Sequence, residues 1–583
     1  MKALALAALL LTTSPESTRL KQLFDLHWTT LLRESPDFAI VVGSPDLDGR
    51  WADLSPEGFA RGRQIARSEL DALSSINRSR LTPSEQVDYD LLRRSLELQI
   101  EGERFGDLGT SLGPMSGIDL DLLELVPYMP ARTVHDFEVI LTRLRGFPKA
   151  VDQTIAQLGR GLAAGVTPPR VTLRAVPDRV ASLIVDDPWQ SPVLEPFKKL
   201  PDSLPAADRE RLRTEAARVF TEQVIPAVRR LHDYLAETYI PGARETIAVS
   251  DLPDGKARYA YLLRTHTTTL LTPEQIHDLG LSEVRRIRGE MDKVITSIDS
   301  QRGFQGSFED FTRFLRTDPR FFYNRPEDLV TGYRDIAKRI DPELIRLFGH
   351  LPRLPYGVKA LEGDGAKSAP SGYYNSGVIA AGLPGWFLVN TYDLKSRPKW
   401  AMEALTLHEA VPGHHLQYAI AQEQEDLPEW RKWDVYPAFA EGWALYAEGL
   451  GTELGLYQDP YSKFGRLINE IWRANRLVVD TGIHSKGWTR QQAIDYYKAN
   501  TAKSEHEIEV EVDRIIAQPG SVPVYKLGEL KIRELRTYAE KELGSKFDIR
   551  AFHDHLLGHG QLPLDLLEAS VKAWVAGLRN NTQ

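Results

Sequence analysis

The amino-acid sequence predicts a mainly α protein of more than one lobe, with a small antiparallel β-sheet just ahead of its most informative helix. Three observations predict it. The chain has 583 residues, more than one ordinary hydrophobic core accommodates. Hydrophobic residues are 42% and charged residues 26%, the balance of a folded globular chain, so global disorder is excluded. Apolar residues recur at helical spacing over most of the length, and a single stretch is rich in Gly, aromatic and β-branched residues as strands are.

The elements follow in order. Met1-Lys2 and the apolar run Ala3 to Leu11 have the charge-then-apolar order of a short secretory signal. Residues 1–16 are therefore a candidate signal segment, and a periplasmic or secreted location is the expectation; the alternative is the start of a first helix in a cytoplasmic protein. No cysteine follows the run, so no lipid anchor is expected. Residues 17–250 read as a helical N-terminal lobe, with helical periodicity from Ser74 to Ile100 and from Val134 to Leu162. Eight prolines between Pro168 and Pro205 forbid a long helix there and predict a wrapping segment or linker. Helical spacing returns from Ala206 to Tyr239. Residues 251–583 form the second lobe, with a helix from Thr272 to Ile298 opened by the capping-box pattern Thr272-Pro273-Glu274-Gln275. Strands are expected between Gly372 and Asp393, most firmly Trp386 to Thr391, and helices again after Pro398.

Several function classes fall away on composition. Against 72 basic residues stand 81 acidic ones, a formal charge of -9, so bulk nucleic-acid binding is not expected. No run reaches the roughly 18 apolar residues of a membrane span. The chain has no cysteine, which excludes disulfides, thiol nucleophiles and Cys-ligated metal. Any metal must be held by His, Asp or Glu.

Three of the 14 histidines lie within eight residues, His408-Glu409-Ala410-Val411-Pro412-Gly413-His414-His415. In the metallopeptidase pattern H-E-x-x-H the two histidines stand about 40° apart and about 6 Å along one helix, so both reach one zinc. Here the spacing is longer. On an unbroken helix His414 would sit about 240° round from His408, and His415 about 10.5 Å further along. Pro412 and Gly413 supply a way out, because proline removes a helical hydrogen bond and glycine tolerates unusual dihedrals. A break or widened turn there would return His414 to the face of His408, with His415 pointing elsewhere; the two could exchange roles. A zinc on two histidines needs a third protein ligand. Glu441 and Glu448, seven apart in the apolar run Ala440 to Gly449, share a helical face. Glu441 is the candidate ligand and Glu448 the partner that orients a ligating His. Glu409 is the candidate general base on the zinc-bound water. The competing reading takes HEAVPGHH as a helix C-terminus, with histidines near the negative dipole end and Pro-Gly as a stop.

The runs HEAVPGHHLQ and EGWALYAEGLG resemble the bacterial family known as domain of unknown function 885, whose members carry H-E-x-x-P-G-H. Further matching segments are Arg476 to His484, Gln518-Pro519-Gly520, Tyr525 to Ile532, Phe552 to Leu557 and Leu562 to Leu564. The resemblance is densest from about Thr265 to Leu564. The family is similar to helical zinc peptidases of the thimet oligopeptidase, carboxypeptidase Taq and dipeptidyl-peptidase III kind. It implies a zincin-like metallopeptidase core in a helical shell, one Zn2+ per chain on His408, His414 and Glu441, Glu409 as base, and peptide substrates. One departure is the Ser-Val-Pro-Val stretch between Gly520 and Tyr525, whose second proline alters that loop.

Tyr525 is, by analogy with late tyrosines in those peptidases, the candidate donor to the developing oxyanion; a core tyrosine is the rival reading. Arg476 and Asp480 are spaced as an i, i+4 helix ion pair, and with His484 they could form a second polar cluster near substrate. The acidic run around His506 reads as a solvated face, and His553 and His555 as packing histidines. The strand Trp386 to Thr391 could take a substrate backbone at its edge. The expected function is zinc-dependent hydrolysis of short peptides. The rivals are a zinc hydrolase of non-peptide amides and a non-catalytic helical peptide-binding protein.

Overall fold

Several of the long helices open on one piece of local chemistry, a hydroxyl side chain that accepts a first-turn amide, in some followed by proline. In a computed structural model that describes residues 14–44, 48–106, 112–126, 129–302, 306–361 and 369–580, Ser14 accepts the Ser17 amide at the head of α1 (Pro15–Glu34), and Ser55 accepts the Gly58 amide at the head of α2 (Pro56–Ser74). Thr82 and Glu85 close a capping box on α3 (Pro83–Gly102), and Thr133 with Asp136 does so on α4 (Val134–Ala163). Each pairs a backbone amide that the first helical turn leaves without a partner. The candidate signal segment 1–16 lies outside the described residues except for Ser14, Pro15 and Glu16.

The expected helix from Ser74 to Ile100 is corrected to two. α2 stops at Ser74, a short 3-10 turn covers Arg78–Arg80, and the Thr82-Pro83 cap starts α3. The proline-rich stretch forms 3-10 turns such as Arg170–Leu173 and Pro192–Leu194 and no long helix. It wraps: Leu173, Val193 and Phe197 share a core with Phe137 and Phe147 of α4 and Phe220. Beyond α5 (Ala206–Val219) the helix continues through two π-helical stretches, Phe220–Val224 and Leu235–Tyr239. Pro226 and Pro241 follow them within two residues. A proline cannot donate to the carbonyl four back and clashes with it, and a widened turn relieves both faults.

A second core joins the chain's ends to its middle. Leu20 of α1 and Leu91 of α3 are in it together with Phe387, Leu407, Trp443, Ile532 and Val571. Phe24 meets Trp430 at 5.6 Å between ring centroids, and buried Arg431 pairs with Asp88 of α3.

The sheet has three strands, β1 (Tyr356–Ala360), β2 (Gly372–Asn375) and β3 (Gly385–Val389), in the order β1-β3-β2. The expectation of an antiparallel sheet is corrected to a mixed one. β2 pairs antiparallel with β3, Gly372 opposite Val389, but β1 runs parallel to β3 with Tyr356 opposite Gly385. The strand expected at Trp386 to Thr391 ends at Val389 and occupies the centre, so it offers no free edge.

Seven further helices matter for the candidate site. α6 (Pro273–Arg302) opens on the expected Thr272–Gln275 box. α7 (Met402–Glu409) and α8 (His414–Glu423) are separated by residues 410–413, and α9 (Pro437–Leu450) follows. α10 (Pro460–His484) is buried along most of its 25 residues, and α11 (Glu505–Ala517) and α12 (Val524–Leu543) pack around it. Lys526 of α12, wholly buried, faces Glu470 of α10 at 2.9 Å and Glu283 of α6 at 3.1 Å. Arg286 completes that network by bonding both carboxylates, which offsets the desolvation of buried charge. α9 meets α12 backbone to backbone. A Cβ on Gly528 would lie 1.8 Å from the Ala438 carbonyl, so only glycine fits. Among the described residues no helix is long and apolar enough to cross a membrane.

Candidate metal centre

The break between α7 and α8 brings the histidines together. α7 stops at Glu409, Ala410 and Gly413 leave helical geometry, and α8 restarts at His414. The break is a full interruption, where a widened turn would also have sufficed. Gly413 is required there because a Cβ would lie 1.9 Å from the His408 carbonyl. The Trp443 indole N–H donates to the Pro412 carbonyl at 2.8 Å and ties the turn to α9. As a result the His408 and His414 rings stand 4.9 Å apart, nearly perpendicular.

Each ring is fixed through its Nδ1. His408 Nδ1 donates to Glu448 Oε1 at 2.9 Å, and His414 Nδ1 to Gln417 Oε1 at 3.3 Å. Both Nε2 atoms then face one oxygen, Glu441 Oε2, at 3.5 and 3.4 Å. That oxygen is buried and has no hydrogen-bond partner. His408, His414 and Glu441 form the one group of three or more ligand-type side chains among the described residues whose donor atoms all lie within 4.8 Å of one another. The cluster is open on one side, where the Glu441 side chain is 24% exposed against 4% for His408.

The ionisable groups of the cluster act on one another. Burial pushes the His408 imidazolium down, yet the facing carboxylates of Glu441 and Glu448 outweigh it and hold the group up at about 9. Burial likewise raises the Glu441 carboxyl, and His414 and His408 overcome it, leaving it well below the usual carboxylate range. Glu409 lies beside the cluster and outside it. Its Oε2 accepts the Tyr374 amide of β2 at 2.8 Å, and burial pushes its carboxyl up.

His415 points away, as its spacing suggested. Its Nδ1 meets the Tyr374 hydroxyl at 2.9 Å, its ring lies 4.7 Å from that of Tyr356, and burial pushes it down to about 4. Tyr525 lies nearly parallel to His408 with ring centroids 6.5 Å apart, carried there by the α9–α12 glycine contact. Arg476 does not pair with Asp480, which corrects the ion pair expected from their spacing. Arg476 bonds Glu511 of α11 and lies over the Tyr525 ring at 4.3 Å. Asp480 accepts instead from Tyr259 Oη at 2.5 Å and from the Gly520 amide. Glu511 is thereby buried and paired, so the acidic run around His506 is not solvated throughout. His484 is spent on structure, meeting the Val249 amide and the Ile515 carbonyl. His553 packs as expected, between Tyr446 Oη and the Leu347 carbonyl.

Sequence reasoning missed Gln417 and Tyr374. Gln417 stands three residues after His414 on the same helix, a spacing that was readable. Tyr374 reaches Glu409 across the sheet–helix packing, and nothing local announces that.

A family model matches residues 36–571, the one described as bacterial protein of unknown function (DUF885). The chain belongs to this family. No curated protein matches it. Among solved structures, this DUF885 chain is similar to "the putative lipoprotein from Colwellia psychrerythraea", with 29% identity, a TM-score of 0.89, and coverage of 97% of this chain and 100% of that one. It also resembles "a putative lipoprotein of unknown function from Shewanella oneidensis" at 18% identity and a TM-score of 0.70, covering 94% of this chain and 99% of that one. The second likeness concerns the fold alone.

Proposed function

We propose that this chain is a zinc-dependent hydrolase that cleaves short peptides, with a zincin-like arrangement of its site. The observation that carries the reading is the convergence of His408 Nε2 and His414 Nε2 on the partnerless Glu441 Oε2 at 3.5 and 3.4 Å. Those separations are long for hydrogen bonds. They match the edge of a tetrahedron of ligands, about 3.3–3.4 Å for atoms 2.0–2.1 Å from zinc. Two imidazoles with Nδ1 already committed and one carboxylate are a donor set that zinc takes, so the residues fit one Zn2+. Bound there, zinc would supply a Lewis acid that polarises a carbonyl and acidifies water.

The chain's own groups do the rest. Glu448 and Gln417 orient the two imidazoles, and Glu441 is the third ligand. Glu409, held by the Tyr374 amide, takes a proton from the attacking water and returns it to the nitrogen of the breaking C–N bond. A carboxyl raised by burial is the stronger base for taking the proton from water. Tyr525 supports the carbonyl oxygen as a hydroxyl donor. With β3 central, the strand edge beside the site belongs to β2, and Glu409 already occupies the Tyr374 amide on it. Substrate backbone would lie along that edge.

Export accompanies this reading. It is supported by the charge-then-apolar run at Met1 to Leu11 and by the lipoprotein description of the similar Colwellia protein. The test of the chemistry is Glu409→Gln in zinc-loaded protein. Metal content should persist while peptide hydrolysis falls by about 10²–10⁴-fold, the usual contribution of a positioned base. Undiminished turnover would sink the assignment.

A further inference from the structure

Around Tyr525, which stacks on His408, three guanidinium groups converge. Arg476 of α10 lies 4.3 Å from the Tyr525 ring centroid and Arg473, one turn earlier, 5.9 Å. Arg514 of α11 reaches the Tyr525 hydroxyl with Nη2 at 3.5 Å. Carboxylates near them are fewer. Glu511 is bonded by Arg476 and feels all three cations. Glu448, 3.7 Å from Arg473, is already committed to His408. Asp480 is turned toward Tyr259 and Gly520, and burial raises its carboxyl to about 7. Positive charge is therefore in excess one aromatic ring away from the metal ligands.

That excess is buried and only partly bonded. The Arg476 side chain is 6% exposed, and its Nη1 has no hydrogen-bond partner, nor do Nε of Arg473 and Nε of Arg514. The fold neutralises its other large buried charge cluster, where Lys526 and Arg286 share Glu283 and Glu470. An uncompensated buried cation is costly, and it is retained where a ligand supplies the counter-charge. The planar, forked guanidinium selects planar, two-oxygen anions. Arg514 also borders a cavity of about 160 Å³ beside Pro114, Met115 and Gln518, which Arg473, Arg476 and Tyr525 do not line.

We propose that Arg473, Arg476 and Arg514, gathered around Tyr525, form a recognition site for a substrate carboxylate, namely the C-terminal α-carboxylate of a short peptide. The proposal rests on the hydrolase reading and makes the enzyme an exopeptidase that releases the last residue. The terminal carboxylate follows the cleaved carbonyl by one residue, about 3.5 Å of extended chain, so its site must adjoin the metal ligands, and Tyr525, around which the arginines gather, stacks on His408 with centroids 6.5 Å apart. An internal bond of a long chain would present no such anion.

The test uses full-length, zinc-loaded protein and two readouts. Turnover is followed by mass spectrometry on N-acetylated tripeptides carrying a free or an amidated C-terminus, with and without an acidic side chain in the last position. Binding of an N-acetyl amino acid and of its amide is followed by calorimetry. The expected result is a preference for the free acid of about a hundredfold in kcat/KM, the terminal residue as product, and tighter binding of the acid. Arg514→Gln and, independently, Arg473→Gln should bring the acid-to-amide ratio toward one, chiefly through KM, while Arg514→Lys retains part of it. Equal cleavage and equal binding of acid and amide would overturn the site and leave the hydrolase reading standing. A preference that follows the acidic side chain rather than the terminus would overturn the C-terminal assignment. Selective binding of the acid with no cleavage of any peptide would uphold the carboxylate site and refute the hydrolase reading.

Discussion

Replacing Gly528 by alanine tests how the fold holds the two halves of the site together. Gly528 of α12 packs against α9, and the added Cβ would lie 1.8 Å from the Ala438 carbonyl oxygen and 2.8 Å from the Gly442 Cα. Both are backbone atoms, so no side chain can swing aside. The helices must separate by about 1.5 Å to restore ordinary contact, and a gap of about 1 Å already forfeits up to half of the dispersion attraction across it. Overpacking of this kind costs about 3 kcal/mol. The same shift carries Tyr525 on α12 away from His408. Gly449→Ala, on the exposed face of α9 with nothing within 4 Å of its Cβ, is the control; there alanine should stabilise by about 0.5–1 kcal/mol. Urea unfolding followed by tryptophan fluorescence and circular dichroism reads both. If Gly528→Ala unfolds at the wild-type midpoint, the close α9–α12 contact and the account of how it places Tyr525 are wrong.

Two further predictions concern charge. Glu448→Gln keeps an acceptor for His408 Nδ1 but removes the buried charge, and zinc affinity measured by chelator competition should fall ten- to a hundredfold, as orienting partners of metal ligands usually require; an unchanged affinity would remove Glu448 from the site. Asp480, its carboxyl raised to about 7 by burial, is held protonated by the fold above its ordinary range near 4, so its contribution to stability declines as pH rises from about 4 to 7. Asp480→Asn should therefore gain on the wild type across that window by roughly 1 kcal/mol per pH unit, and a flat difference between the two unfolding midpoints would contradict the neutral state assigned to Asp480.

How much was legible in the sequence depended on the range of the signal. Caps are written locally, so the Thr272–Gln275 box and the spacing of α4 were readable, and Thr82-Pro83 would have split the Ser74–Ile100 helix had it been weighed as a start. The break between α7 and α8 was also local, because Pro412 and Gly413 declare it, whereas the choice of His414 over His415 beside His408 needed the geometry of the turn. β1 went unseen since Tyr-Gly-Val-Lys-Ala carries neither alternation nor length, and without it the sheet read as antiparallel with Trp386 to Thr391 at an edge. Arg476 and Asp480 show the limit of helix spacing. Their i, i+4 separation permits a pair, but Glu511 and Tyr259, far away in sequence, compete for them and win. The arginines around Tyr525 come from two helices and the tyrosine from a third, and no single stretch of sequence displays them together.

The central claim is that His408, His414 and Glu441 bind one zinc. Elemental analysis of protein purified without a histidine tag, run beside His408→Ala and Glu441→Ala, tests it most directly. The account predicts about one zinc per chain in the wild type and its loss in both variants while they remain folded by circular dichroism. Wild-type protein that is metal-free and takes up no added zinc, or variants that bind zinc as the wild type does, would contradict it.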